Sequence, residues 1–380
     1  MLKVEINFCI LLIFTINYSM FYKGGEPLSI LSSNKILSID FGADEIKIVE
    51  GKFSKKGVVI SKNFSIKVPR DIYQDGEIQD MDQLSYLLKT SLSENKISQA
   101  DVNGIVNSSR VIMREVVMPK VAEKEIESIL SYQLEDYIPI HPEDYVVKYI
   151  TLGEVISDGV EKLNILLIGI PRTTVESHLN LMKNFNLKPM VLDYQGNAIS
   201  KLIQEGDTIN EFYPNTDTIA CIDLGYDSTS LTITNDGVIK VSRVIELAGK
   251  QLIDTLKTRV DDLTENELIN GIININDVNE NLVNINNEYK IVEGTKETIF
   301  EIMDRIEMIF RYYRTREMGN DINLVVLHGG LSNIKGIEKM FSDTFNIPCV
   351  KLNSLSKIKF NGDLSKYANA IGGMIRMGEV

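Results

Sequence analysis

The alternation of apolar and polar residues predicts a buried strand over Lys35–Gly42, ending in Asp-x-Gly, then a second strand over Glu45–Gly51 across a tight turn. The same unit returns at Thr218–Gly225 and Ser230–Gly237, with Asp223 lying 183 positions after Asp40. A repeat of that length predicts two duplicated domains, each opening with a hairpin whose turn faces its partner. A third strand, Asn323–Gly330, runs into paired glycines, and the residues from Leu331 onward read as the start of a helix. Apolar residues at 299, 302, 303, 306, 309, 310 and 313 predict a long amphipathic helix over Glu297–Glu317, closed by Gly319.

Between the two Asp-x-Gly units the pattern predicts a strand over Arg110–Met118 stopped by Pro119, a helix over Glu123–Tyr137, strands over Asp144–Leu152 and Lys162–Ile170, and a helix over Thr173–Phe185. That order describes a small inserted α/β subdomain. The segment Asn274–Asn287, with seven Asn in fourteen residues, reads as a loop or a small hairpin.

With 380 residues the chain is long enough for two or three domains, and 44% hydrophobic against 24% charged residues is globular composition. The net charge of −13 argues against a general nucleic-acid binder, whose phosphate contacts need basic patches. Cys9, Cys221 and Cys349 are far apart and odd in number, which leaves neither a disulfide framework nor a CxxC metal site. His141, His178 and His328 lack the spacing of a zinc site. One segment departs from the average: Ile6–Tyr22 carries no charge, and 13 of its 17 residues are apolar or aromatic. That is just short of the ~20 residues that span a bilayer. It reads as a mis-called start ahead of Met20, as an unusual membrane anchor or, given its weak charged end and missing cleavage site, least well as a signal peptide.

The chemistry lies in the turns. An Asp-x-Gly turn sets a carboxylate beside exposed backbone N–H groups, and the glycine permits the close approach that a phosphate demands. Carboxylates do not bind phosphate directly; they hold, usually through water, a hard cation such as Mg²⁺. Two such turns facing each other could clamp a nucleotide, with Asp40 and Asp223 for the metal, Gly42 and Gly225 for close approach, Lys47 for phosphate charge, and the hydroxyls of Ser228 and Thr229 for phosphate oxygens.

On Ile36–Gly42, Ile219–Thr229 and Leu324–Gly330 the chain resembles the actin-like ATPase superfamily, as its phosphate-1, phosphate-2 and adenosine motifs. On Met118-Pro119, Ser131–Pro139, Asp144-Tyr145, Leu166–Pro171, Asp193–Ala198 and Tyr367–Gly373 it resembles, more narrowly, the FtsA-like PilM family of type IV pilus assembly proteins. The resemblance covers Lys35–Met377. It implies an α/β actin-like ATPase fold: two duplicated domains around a nucleotide cleft. The expected division is a 1–34 extension, a first domain over 35–107 and 189–213 with the inserted subdomain at 108–188, and a second domain over 214–246 and 320–380 with an insertion at 247–319. The resemblance also implies ATP and Mg as ligands and adds Gly249, Gly329 and Gly330 to the candidate site. Gln195 is the weak catalytic candidate, at a position where relatives can orient water. Two departures stand out: Ala43-Asp44-Glu45 follows the first glycine where small or hydroxyl residues are usual, and Ala248-Gly249 replaces a glycine pair.

The implied function is a cytoplasmic ATP-binding scaffold at the inner face of the cell membrane. It would dock the N-terminal peptide of a PilN-like bitopic membrane protein, work with other pilus assembly proteins, and reach the membrane mainly through partners. Nucleotide state would tune domain closure, with nucleotide binding outweighing rapid hydrolysis. Two alternatives use the same fold. A sugar-kinase-type phosphotransferase needs an acceptor pocket, which no segment specifies. An FtsA-like division tether needs a C-terminal amphipathic helix, for which Ile375–Val380 leaves no room.

Overall fold

The computed structural model describes residues 35–376 apart from 98–99, 139–140, 215, 283–284 and 317–318. The apolar run Ile6–Tyr22, Pro139 and the chain end from Met377 therefore lie outside the described residues.

The first domain opens with β1 (Ile36–Asp40), β2 (Glu45–Ser54) and β3 (Gly57–Lys67). A two-residue hairpin of β4 (Tyr73–Gln74) and β5 (Glu77–Ile78), helix α1 (Met81–Glu94) and β6 (Asp101–Val106) follow. The inserted subdomain is β7 (Ile112–Pro119), α2 (Glu123–Tyr137), β8 (Tyr145–Ser157), β9 (Val160–Pro171) and α3 (Arg172–Lys183), in the order the sequence predicts. The chain then returns through β10 (Lys188–Tyr194) and α4 (Gln195–Glu205). The main sheet runs β10-β6-β1-β2-β3 and continues on β18 (Ile358–Lys359), while β7-β9-β8 form a separate three-stranded sheet. β1 is buried along almost its whole length, which is why its sequence is a near-continuous apolar run rather than a strict alternation.

The second domain follows a small hairpin of β11 (Thr208–Ile209) and β12 (Tyr213–Pro214). It comprises β13 (Ile219–Leu224), β14 (Thr229–Asn235), β15 (Val238–Ile245), α5 (Gly249–Arg259), α6 (Glu265–Ile273), α7 (Asn287–Arg316), β16 (Leu324–His328), α8 (Ile337–Phe345), β17 (Cys349–Lys351) and α9 (Leu364–Gly372). Its sheet runs β15-β14-β13-β16-β17. The duplication extends to register. β1 pairs antiparallel with β2 and parallel with β6, and Asp40 sits opposite Lys47; β13 pairs antiparallel with β14 and parallel with β16, and Asp223 sits opposite Ser230.

Several expectations change. The long helix begins at Asn287, ten residues before the expected start. Its early turns bury Gly294, Thr295 and Thr298, and each threonine hydroxyl donates to the carbonyl four residues back, at 2.7 and 3.0 Å. Satisfied threonines can lie on a buried stripe without contributing to an apolar pattern. No α-helix follows Gly330 directly: a 3-10 turn, Gly330–Asn333, intervenes, and α8 starts only after Gly336 at φ +87°. The described residues of the Asn-rich segment form no hairpin; Val278 N–H donates to the Lys335 carbonyl and the Asn279 amide to that of Gly336. The segment assigned wholly to the second domain also crosses back, since β18 pairs with β3 of the first sheet. A shared core of Val49, Ile203, Ile219, Val326 and Ile371 joins the domains beneath the cleft. There α9 packs on α4 so closely that a Cβ on Gly372 would collide with the Ala198 carbonyl. No helix among the described residues is long and apolar enough to cross a membrane.

Candidate functional site

Because β1 and β13 each lie between an antiparallel and a parallel neighbour, their following turns emerge at the same end of each sheet and face a cleft of about 500 Å³. Both turns close in the same way. A Cβ on Gly42 would come within 2.6 Å of the Glu45 carbonyl oxygen, and one on Gly225 within 2.7 Å of that of Ser228. Glycine is thus required three residues before the same turn carbonyl in each repeat. Gly329, at φ +85°, approaches Asp223 so closely that a Cβ would strike its carboxylate, whereas Gly330 faces open space.

Asp40 is fully buried and lies beneath the cleft lining rather than in it. Its Oδ1 accepts from the Gln195 side-chain amide at 3.2 Å, and its Oδ2 is 3.7 Å from Lys47 Nζ but has no hydrogen-bond partner. Burial pushes its carboxyl above the ordinary range; Lys47 opposes that shift and the charge of Asp223 adds to it. Burial works against the charge of Lys47 too, yet Asp40, Asp223, Glu45 and Asp44 together hold the ammonium above its usual pKa. Asp223 accepts from the Asn369 amide at 2.7 Å, and His328 Nδ1 lies 3.9 Å away. Burial depresses the pKa of His328, which favours the neutral ring.

Gly42, Lys47, Gln195, Asp223, Gly225, Ser228, Gly249, Gly329 and Gly330 all line the cleft. Thr229 does not: it is fully buried, and its hydroxyl donates to the Leu247 carbonyl at 2.7 Å, so the expected phosphate contact is corrected to a structural one. Ser228 Oγ instead accepts from the Asn107 amide at 3.0 Å, and the same amide reaches Ser230 at 2.9 Å, linking the domains across the cleft. The two carboxylates in the unusual Ala43-Asp44-Glu45 turn are both neutralised, Asp44 by Lys67 at 2.8 Å and Glu45 by Lys366 at 2.8 Å.

Sequence reasoning missed Asn107, Lys366 and the apolar wall made by Leu252, Ile253, Ile269, Ile272 and Ile334, as well as Asn369, which donates to Asp223. The four wall residues on α5 and α6 carry only the ordinary periodicity of amphipathic helices, and Ile334 follows the 3-10 turn, so nothing in the sequence marks them as lining a cavity. Asn369 and Lys366 lie in or beside the Tyr367–Gly373 stretch that resembles the pilus family, which was the available signal.

Comparison with known proteins places this geometry. The family described as type IV pilus assembly protein PilM matches residues 38–371. Among solved structures, the chain is similar to a PilM-PilN type IV pilus biogenesis complex, with TM-score 0.74 and 19% identity over 90% of this chain and 98% of that one. It is also similar to the ethanolamine utilization protein EutJ from Carboxydothermus hydrogenoformans (TM-score 0.55, 10% identity, 90% of each chain). A third similarity is to MreB5 of Spiroplasma citri bound to AMPPNP (TM-score 0.52, 15% identity, 90% of this chain and 95% of that one). These similarities bear on the fold, which is the α/β actin-like ATPase fold.

Proposed function

The chain belongs to the family of type IV pilus assembly proteins PilM, and on that premise we propose that it is a nucleotide-binding scaffold of pilus assembly. In this reading it docks the N-terminal segment of a PilN-like membrane protein, and nucleotide in the cleft biases domain closure and hence partner affinity. The docking partner is suggested by the PilM-PilN complex with which the chain shares its fold. The inserted subdomain of β7, β8, β9 and α2 is the proposed groove wall, an extended peptide being held there by backbone hydrogen bonds and side-chain pockets.

The observation that carries the nucleotide half is the pair of repeated turns meeting at one cleft, where Lys47 lies 3.7 Å from the buried Asp40 Oδ2 without hydrogen-bonding it. The residues present fit Mg·ATP. No group of three or more His, Cys, Asp or Glu among the described residues is arranged to hold a metal ion. Asp223, in the cleft lining, would hold Mg²⁺ through its own water, and Asp40, buried beneath the lining, would add its charge. Lys47 and the backbone around Gly42 and Gly225 would receive phosphate oxygens, and Gly330 with the apolar wall of α5 and α6 would receive the nucleoside. Bound Mg²⁺ supplies charge neutralisation at the phosphates. Gln195 can orient a water but, as an amide, cannot take its proton.

Thermal unfolding of the full chain with Mg·ATP, with a peptide from the N-terminus of a PilN-like partner, and with both tests this reading. Each ligand should raise the midpoint, and each should tighten binding of the other by the same factor. No nucleotide effect removes the ATP half; nucleotide and peptide effects that are strictly independent remove the closure half.

A further inference from the structure

The cleft is lined by five carboxylates, Asp44, Glu45, Asp75, Asp223 and Asp227, against three lysines, Lys47, Lys67 and Lys366. Each ammonium already faces a carboxylate: Lys47 faces Asp40, Lys67 faces Asp44 and Lys366 faces Glu45. An anionic ligand thus meets no free lysine among the described lining residues and an excess of like charge.

Glu45 is the critical member by position. It is two residues from Lys47 on β2, so both side chains leave the same face of the sheet, and both line the cleft. Any phosphate drawn to Lys47 comes within side-chain reach of the Glu45 carboxylate. Glu45 is held by Lys366 Nζ at 2.8 Å and by Ser65 Oγ at 3.1 Å, and Lys366 is delivered from α9, remote in sequence. Those contacts keep Glu45 ionised, its pKa lying below the usual carboxylate range despite burial. One ammonium, that of Lys366, offsets part of this fixed negative charge.

Resting on the nucleotide reading above, we infer that Glu45 is a specificity-determining residue. Its charge disfavours the additional phosphate of a nucleoside triphosphate relative to the diphosphate, and Lys366 sets the strength of that discrimination by neutralising it.

Calorimetric titration of the full chain with Mg·ADP and Mg·ATP tests this inference through the ratio of the two affinities. Glu45→Gln should raise affinity for the triphosphate relative to the diphosphate by about tenfold, as expected for removing one charge close to the phosphates. Lys366→Met should lower the same ratio, and the double variant, with the wild-type net charge restored, should return close to the starting ratio. A strut that merely ties β2 to α9 would change stability and leave the ratio untouched; a ratio constant within about twofold in the folded single variants overturns the inference, and either variant alone decides it if the other fails to fold. Wild-type protein that binds neither nucleotide ends the nucleotide reading and this inference with it, whereas binding with an unresponsive ratio ends only the inference.

Discussion

Asp223 is fixed by a neighbour from each of two directions, the Asn369 amide and the backbone at Gly329, so its position depends on residues far away in sequence. Gly329→Ala would force a side chain into a left-handed conformation and against that carboxylate; we expect Mg·ATP affinity to fall at least about tenfold, measured by titration, with the fold retained. Elsewhere, the Tyr73 hydroxyl sits 3.0 Å from His178 Nε2, and His178 Nδ1 lies 2.7 Å from the Thr174 carbonyl. That carbonyl can only accept, so Nδ1 carries the proton and Nε2 accepts from Tyr73. Burial depresses the ring's pKa to about 4. The unfolded chain takes up this proton near pH 6.5 and the folded chain only near 4, so stability present in full above 6.5 is lost progressively as pH falls between those values, by on the order of 3 kcal/mol. Urea unfolding at pH 7.5 and pH 5 should show the loss, and His178→Gln should reduce it.

Among the elements, α4 and α9 cross closely, where Gly372 meets the Ala198 backbone. Gly372→Ala should separate the helices at a cost of about 1–3 kcal/mol in unfolding free energy, the range of overpacked cores. On α7, Ile306 is fully buried in the second-domain core, and Ile306→Ala should cost about 2–5 kcal/mol in the same measurement. The strands were legible in the sequence because central buried strands are written as short apolar runs ending in turn residues, as at Ile36–Gly42 and Ile219–Gly225. The start of α7 was not, because Thr295 and Thr298 satisfy their hydroxyls on their own helix and so bury without being apolar. The 3-10 turn after Gly330 was also hidden, since the left-handed Gly336 that delays α8 depends on its contacts with Asp277 and Asn279.

At the scale of the whole molecule, the cleft is bridged by Asn107 to Ser228 and Ser230, and by the ion pair of Arg70 with Glu265. If closure carries the coupling between nucleotide and partner peptide, Asn107→Ala should reduce the factor by which each ligand tightens the other, while the peptide alone binds as before; the same titrations measure it. The sequence by itself determined the repeated strand–turn–strand units at Asp40 and Asp223, the strand and helix order of residues 110–185, and most of the glycines and charged residues around the cleft, because these depend on local periodicity and on turn chemistry repeated along the chain. Only the tertiary structure decided that Thr229 turns away from the cleft, that α5 and α6 supply an apolar wall, that β18 returns to the first sheet, and that Lys366 pairs with Glu45. Each of these is a pairing between residues distant in sequence, and a local pattern carries no record of which distant side chain will satisfy a buried charge, hydroxyl or strand edge.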